Sequence, residues 1–128
     1  MAHMLFIEPD RKLAEVYAQT FNESGHSTQV ASSAQSAILA VDDQLPDVII
    51  LELQLIEHSG VEFLYELRSY PEWQTIPVVV LSNIPPNEFD SSHDLLMNEL
   101  GVRAYHYKPR TSLTKLLSVV QEHVAVKA

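Results

Sequence analysis

The sequence predicts an α/β domain of the doubly wound type, a parallel sheet with helices on both faces. Three observations predict it. Val48-Ile49-Ile50-Leu51 and Ile76-Pro77-Val78-Val79-Val80-Leu81 are short unbroken apolar runs, the pattern of strands buried on both faces. Segments with apolar residues at helical spacing alternate with strand-like runs about five times along the chain. The 128 residues, 46% of them hydrophobic, suffice for one good core. Alternation of this kind puts helices on both faces of a parallel sheet, because right-handed crossovers allow few other solutions.

Met4 to Ile7 is the first apolar run and the first expected strand. Glu8-Pro9-Asp10 ends it, with a proline and acids suited to a first helical turn. Leu13, Val16, Tyr17 and Phe21 recur at helical spacing, and Gly25 is the expected left-handed cap. Ser27 to Ala31 is partly polar, which fits a strand at or near the sheet edge. Ser32 or Ser33 caps a second helix with Ala34, Ala37, Ile38 and Val41 inward. Pro46-Asp47 leads into the central strand, which ends at Glu52. The irregular segment from Leu53 to Ser59 closes at Gly60. A third helix then buries Val61, Leu64 and Leu67 and stops at Pro71.

The run from Ile76 to Leu81 is the fourth strand, delivering Ser82. Pro85-Pro86 makes the next stretch a loop of stiff shape, expected to fix the neighbouring face in one state. Glu88 to Leu100 is expected to be a fourth helix with Leu95, Leu96 and Leu100 inside, ended by Gly101. Val102 to Tyr107 is the last strand, broken by Lys108-Pro109. Thr111 or Ser112 caps a final helix with Leu113, Leu116, Leu117, Val120 and Val124 inward. One domain over residues 4–128 follows. Met1-Ala2-His3, standing before a second methionine, is expected to be an added leader outside the fold.

Charge and composition exclude several functions. Eight Lys and Arg against 17 Asp and Glu give a formal charge of −9, which opposes nucleic-acid binding and anionic membranes. No cysteine is present, so disulfides, thiolate catalysis and cysteine zinc sites are excluded. The histidines, His3, His26, His58, His93, His106 and His123, show no pair at metal-ligand spacing on a helix face. Ser82 lies in no nucleophile elbow, and no glycine-rich phosphate loop follows the first strand. No membrane span or signal peptide is evident, so a cytoplasmic location is expected.

In a parallel sheet every strand delivers its last residue to one edge, where open α/β sheets bind ligands. That edge receives Glu8 with Asp10 just beyond, then Glu52, Ser82 and Lys108. A lone acid at a strand end is commonly a solvated cap, but acids, a hydroxyl and an ammonium converging from distant positions make a candidate site.

On these residues the chain, from Met4 onward, resembles the response-regulator receiver domain of two-component signalling. Pro46 to Leu53, with Gly60 beyond, is similar to that family's central strand and loop. Ile76 to Ser82 is similar to its fourth strand and switch hydroxyl, and Tyr105-His106-Tyr107-Lys108-Pro109 to its switch aromatic and Lys-Pro. The resemblance implies a flavodoxin-like sheet of five strands in the order 2-1-3-4-5. It implies Glu52 at the phosphoacceptor position, normally aspartate, and Mg²⁺ held by Glu8, Asp10 and Glu52. Ser82 would contact the phosphoryl group, Lys108 would pair with its charge, Tyr105 would switch between outward and inward rotamers, and Pro109 would follow a cis bond. A protein partner (a histidine kinase, an output domain or another signalling protein) would dock on the face of helix 4, strand 5 and helix 5, with a homodimer left open. No enzymatic activity is implied.

Two departures touch the chemistry. Glu52 is one methylene longer than the usual aspartate, which moves its carboxylate by roughly 1 Å, and in-line transfer is sensitive to that displacement. Pro9 stands where a second metal-binding acid belongs and carries no side-chain oxygen; Asp10 is one position further on, and Ile56 replaces the usual loop proline. The sequence is therefore read as a phosphorylation-independent pseudo-receiver that needs no cofactor, with Mg²⁺ bound only if the acid pocket works. The alternatives are a genuine Mg²⁺-dependent phosphoacceptor of a phosphorelay and a small flavodoxin-like ligand-binding domain or enzyme.

Overall fold

The computed structural model describes residues 2–55, 58–85, 87–88 and 93–124. Five parallel strands form one sheet: β1 (His3–Ile7), β2 (Ser27–Ala31), β3 (Val48–Leu51), β4 (Val78–Ser82) and β5 (Val102–Tyr107). Their order is β2-β1-β3-β4-β5, with all neighbours parallel. The doubly wound arrangement is therefore the observed one. The partly polar β2 sits at one edge, and β3 lies in the middle with all four side chains buried.

The helices are α1 (Arg11–Glu23), α2 (Ala34–Asp43), α3 (Gly60–Ser69) and α4 (Leu113–Glu122). Each starts at a polar residue whose side chain accepts a hydrogen bond from the first-turn backbone: Asp10, Ser33, Ser59 and Ser112. Period-two alternation along the strands splits the core into two layers. Leu5, Ile7, Ile49, Leu51, Val78 and Val80 point to the face covered by α2 and α3. Met4, Phe6, Val48, Ile50, Val79 and Leu81 point to the face covered by α1 and α4. Each fully buried large aliphatic or aromatic contributes about 1.5–3 kcal/mol.

The structure corrects the sequence reading at several places. β1 begins at His3, not Met4: Ala2 is buried, and the His3 amide donates to Asp47 Oδ2 at 2.8 Å. His3, placed in the supposed leader, therefore belongs to the sheet. Val16 is exposed, because α1 buries Ala14, Tyr17 and Phe21, a stripe that turns Val16 to solvent. On α3 Phe63 is buried and Val61 only half so. On α4 Leu113 is exposed while Leu116 and Val120 form the seam. β4 starts at Val78 rather than Ile76 and includes Ser82.

The Lys108-Pro109 bond is trans, since no cis bond occurs among the described residues. Pro109 instead opens a 3-10 turn, Lys108–Arg110, where its fixed φ suits a helical start. Of the expected fourth helix, residues 89–92 lie outside the described residues, as do Ile56 and Pro86. Its later part is a π-helical turn, Leu95–Glu99, closed by the Leu100 amide donating to the Leu95 carbonyl at 2.9 Å. Leu96 and Leu100 are buried, as expected.

Candidate functional site

The parallel register aligns the carboxyl ends of the strands. Ile7 pairs with Leu51, Leu51 with Val80, and Ser82 with Tyr107. Two backbone bonds extend the ladder past the strand ends: the Glu8 amide donates to Ala31 and the Glu52 amide to Ile7. Glu8 and Glu52 are thus fixed on the sheet edge before their side chains make any contact. Gly60 adds a steric constraint. Its amide donates to the Leu53 carbonyl, and a Cβ there would lie 2.8 Å from Leu53 Cα and 3.0 Å from the Glu52 carbonyl oxygen. Only glycine lets α3 start this close to the Glu52-Leu53 backbone.

Glu8, Glu52, Ser82 and Lys108 form one buried network. Lys108 Nζ donates to Glu8 Oε1 at 2.5 Å and to Glu52 Oε1 at 2.7 Å, bridging two carboxylates. The Ser82 hydroxyl donates to Glu52 Oε2 at 2.5 Å. Backbone amides complete the coordination. Asn83 donates to Glu52 Oε1, Gln54 to Glu52 Oε2 and Asp10 to Glu8 Oε2. Glu52 is 3% exposed and Ser82 0%, so these bonds work in a low dielectric.

Burial by itself opposes charge on Glu52. The hydrogen bonds from Lys108, Ser82 and Gln54 outweigh it and hold the carboxyl below its ordinary value. Burial likewise opposes charge on Lys108, and Glu52 and Glu8 reverse it, raising the ammonium above its ordinary value. Both groups are therefore ionised at neutral pH. Tyr17 on α1 feels the same acids: burial first, then the carboxylates of Glu8, Glu52 and Asp10, push its phenol up, so it stays neutral.

The donor set does not fit Mg²⁺. An ionised carboxylate offers about four lone-pair sites, and Glu52 accepts from four donors: Lys108, Ser82, Gln54 and Asn83. Asp10, expected to assist the metal, caps α1 by accepting from the Leu13 amide at 3.2 Å and is exposed. Its share in the pocket is its backbone N–H. Pro9 supplies no side-chain oxygen. Among the described residues no three acids or histidines are grouped to hold a metal. The ammonium of Lys108 lies between the carboxylates of Glu8 and Glu52 and bonds both.

The network continues to Tyr105. The Ile84 amide donates to Ser82 Oγ, and the Tyr105 hydroxyl donates to the Ile84 carbonyl at 2.7 Å. Tyr105 also contacts the Ser82 side chain. Its ring is half-buried against the layer of α3 and the π-helical turn. The structure thus brings Glu8, Glu52, Ser82, Lys108 and Tyr105 together. Pro109 lies one residue beyond Lys108, in the turn that follows β5. Sequence reasoning missed the amides of Gln54 and Asn83, and it missed Tyr17, which its helical spacing marked only as core.

The protein is thus a doubly wound α/β domain with a carboxylate, a hydroxyl and a lysine joined at the carboxyl edge of its sheet. The chain belongs to the response regulator receiver domain family, whose model matches residues 4–121. It is 31% identical over 109 residues to the transcriptional regulatory protein KdpE of Mycobacterium tuberculosis, covering 85% of this chain and 45% of that protein. It is 30% identical over 82 residues to the KDP operon transcriptional regulatory protein KdpE of Escherichia coli, covering 64% of this chain and 35% of that protein. The chain therefore spans less than half the length of these relatives. In fold it is similar to the Vibrio cholerae chemotaxis response regulator CheY4, with a TM-score of 0.84 and 19% identity, covering 97% of this chain and 99% of that one.

Proposed function

We propose that this receiver domain signals without being phosphorylated, as a pseudo-receiver. The observation that carries the proposal is the saturation of Glu52. Its four acceptor sites are met by Lys108, Ser82, Gln54 and Asn83, so no lone pair is presented to an incoming phosphoryl group. Phosphorylation of a receiver adds negative charge and acceptor oxygens that draw neighbouring donors together. Here the longer glutamate supplies a permanent anion that already holds Lys108 and Ser82. Tyr105 is turned inward onto Ile84, the position that such contacts select.

The domain then acts as a cytoplasmic protein-interaction module with a fixed surface. Its partner is a protein such as a histidine kinase, an output domain or another signalling protein. The proposed docking face comprises the π-helical turn, β5 and α4, where Tyr105, His106 and Tyr107 are half-buried and Leu113 is exposed. No helix among the described residues is long and apolar enough to cross a membrane.

The test is incubation with acetyl phosphate and Mg²⁺ followed by intact mass measurement. No phosphate adduct is expected. An adduct that disappears in Glu52→Gln overturns the proposal in favour of a working phosphoacceptor.

A further inference from the structure

No lysine or arginine occurs between Lys12 and Arg68, while acids are spread through that span. The gap covers all of α2 and nearly all of α3, which lie side by side on one face of the sheet. Between them runs a groove of 520 Å³. Its apolar lining is Ala34, Ile38 and Leu39 from α2 and Phe63 from α3, and its α3 rim carries Glu62 and Glu66. Leu39 is 66% exposed, the highest value of any large hydrophobic residue in the described chain. Glu62 and Glu66 are exposed one turn apart, in line along the rim.

Among the described residues no lysine or arginine forms an ion pair with Glu62 or Glu66. Arg68, the first after the gap, spends its guanidinium on the carbonyls of Trp73, Leu100 and Gly101. Arg11 and Lys12 sit on α1, across the sheet. His58 bonds Glu62 Oε2 at 2.8 Å, at the end of the rim away from Glu66. An apolar channel between two helices, edged by aligned carboxylates, matches a helix that presents leucine-type side chains on one face and lysine or arginine beside them.

We propose that the α2–α3 groove is a docking site for a cationic amphipathic helix of a partner protein. The apolar side chains of the partner cover Leu39, Ile38 and Phe63, and its cations pair with Glu62 and Glu66. The site lies on elements other than the π-helical turn, β5 and α4, so it serves a second partner or a second segment of the same one. It is independent of whether Glu52 takes a phosphoryl group.

The experiment uses the whole chain, isotopically labelled for NMR, and a fluorescent Leu/Lys model helix as probe, with a Leu/Glu helix as control. Titration is expected to shift the amides of Ile38, Leu39, Glu62 and Glu66, and the Leu/Glu helix is expected to shift none. Leu39→Asp and Glu66→Lys, both at exposed positions, are each expected to weaken binding about tenfold. Glu15→Lys on α1 makes the same charge change and is expected to leave binding intact. Equal loss in Glu15→Lys, or shifts spread over every acidic surface, would show mere charge attraction and overturn the proposal. So would concentration-dependent shifts at the groove without peptide, which assign the face to a second copy of the chain.

Discussion

Lys108 and Glu52, 56 residues apart in sequence, meet at 2.7 Å with side chains only 11% and 3% exposed. The same ammonium reaches Glu8, so two buried carboxylates depend on one cation. Lys108→Met keeps the length of the stem and removes the charge. It leaves Glu8 and Glu52 facing each other without compensation, and removing one partner of a buried pair costs about 3–5 kcal/mol. Urea unfolding is expected to show a loss in that range. Adding Glu8→Gln to the same protein is expected to return part of it. An unchanged midpoint in Lys108→Met would mean that the ammonium does not hold this edge together.

The ionisation of the pair sets a pH window. The folded-state pKa of Glu52 is depressed from its ordinary 4.5, so its stabilisation is full above 4.5 and is lost as pH falls through the folded value. That of Lys108 is raised from its ordinary 10.5, so its stabilisation is full below 10.5 and is lost as pH rises through the folded value. The contribution of the pair is therefore flat between these two ordinary values and falls outside them. Urea midpoints measured across pH are expected to drop below pH 4.5, and Glu52→Gln is expected to flatten that acid limb. An acid limb equally steep in Glu52→Gln would assign it to other carboxylates.

The strands were legible because their burial is written in residue type. Val48 to Leu51 is buried on both faces, and a central parallel strand accounts for four large aliphatics in a row. The convergence of Glu8, Glu52, Ser82 and Lys108 followed from topology alone, since every parallel strand ends at one edge. What the residues do once there was less legible. Half of the donors to Glu52 are backbone amides, at Gln54 and Asn83, and a backbone N–H carries no residue signature. Asp10 reads as a pocket acid by position, but a carboxylate just before a helix is better used as its cap. Val16 and Val61 misled because several helical stripes fit the same spacing, and packing selects among them.

The acceptor and the missing acid are expected to fail together and to recover only together. Glu52→Asp withdraws the carboxylate by one methylene and loosens its grip on Ser82 and Lys108. Pro9→Asp restores an oxygen beside Glu8. Neither change alone provides both a shorter acceptor and a second metal-binding acid. Intact mass after acetyl phosphate and Mg²⁺ is expected to show an adduct in the double variant and none in either single one. An adduct in Glu52→Asp alone would mean that Pro9 is no obstacle.

Gly60 ties the start of α3 to the site. A Cβ at this position meets Leu53 Cα at 2.8 Å, and Leu53 Cα is backbone that cannot rotate away. The Glu52 carbonyl oxygen, also backbone, lies at 3.0 Å. Gly60→Ala must therefore move either α3 or the Glu52-Leu53 peptide. Overpacking of this kind costs about 1–3 kcal/mol, and urea unfolding is expected to show it. The displacement also strains the Gln54 amide bond to Glu52, two residues along. NMR is expected to show the Gln54 and Asn83 amides shifting in Gly60→Ala, whereas a core truncation such as Val120→Ala, on the other sheet face, leaves them in place. If both variants lose stability and neither moves those amides, Gly60 packs the core without positioning Glu52.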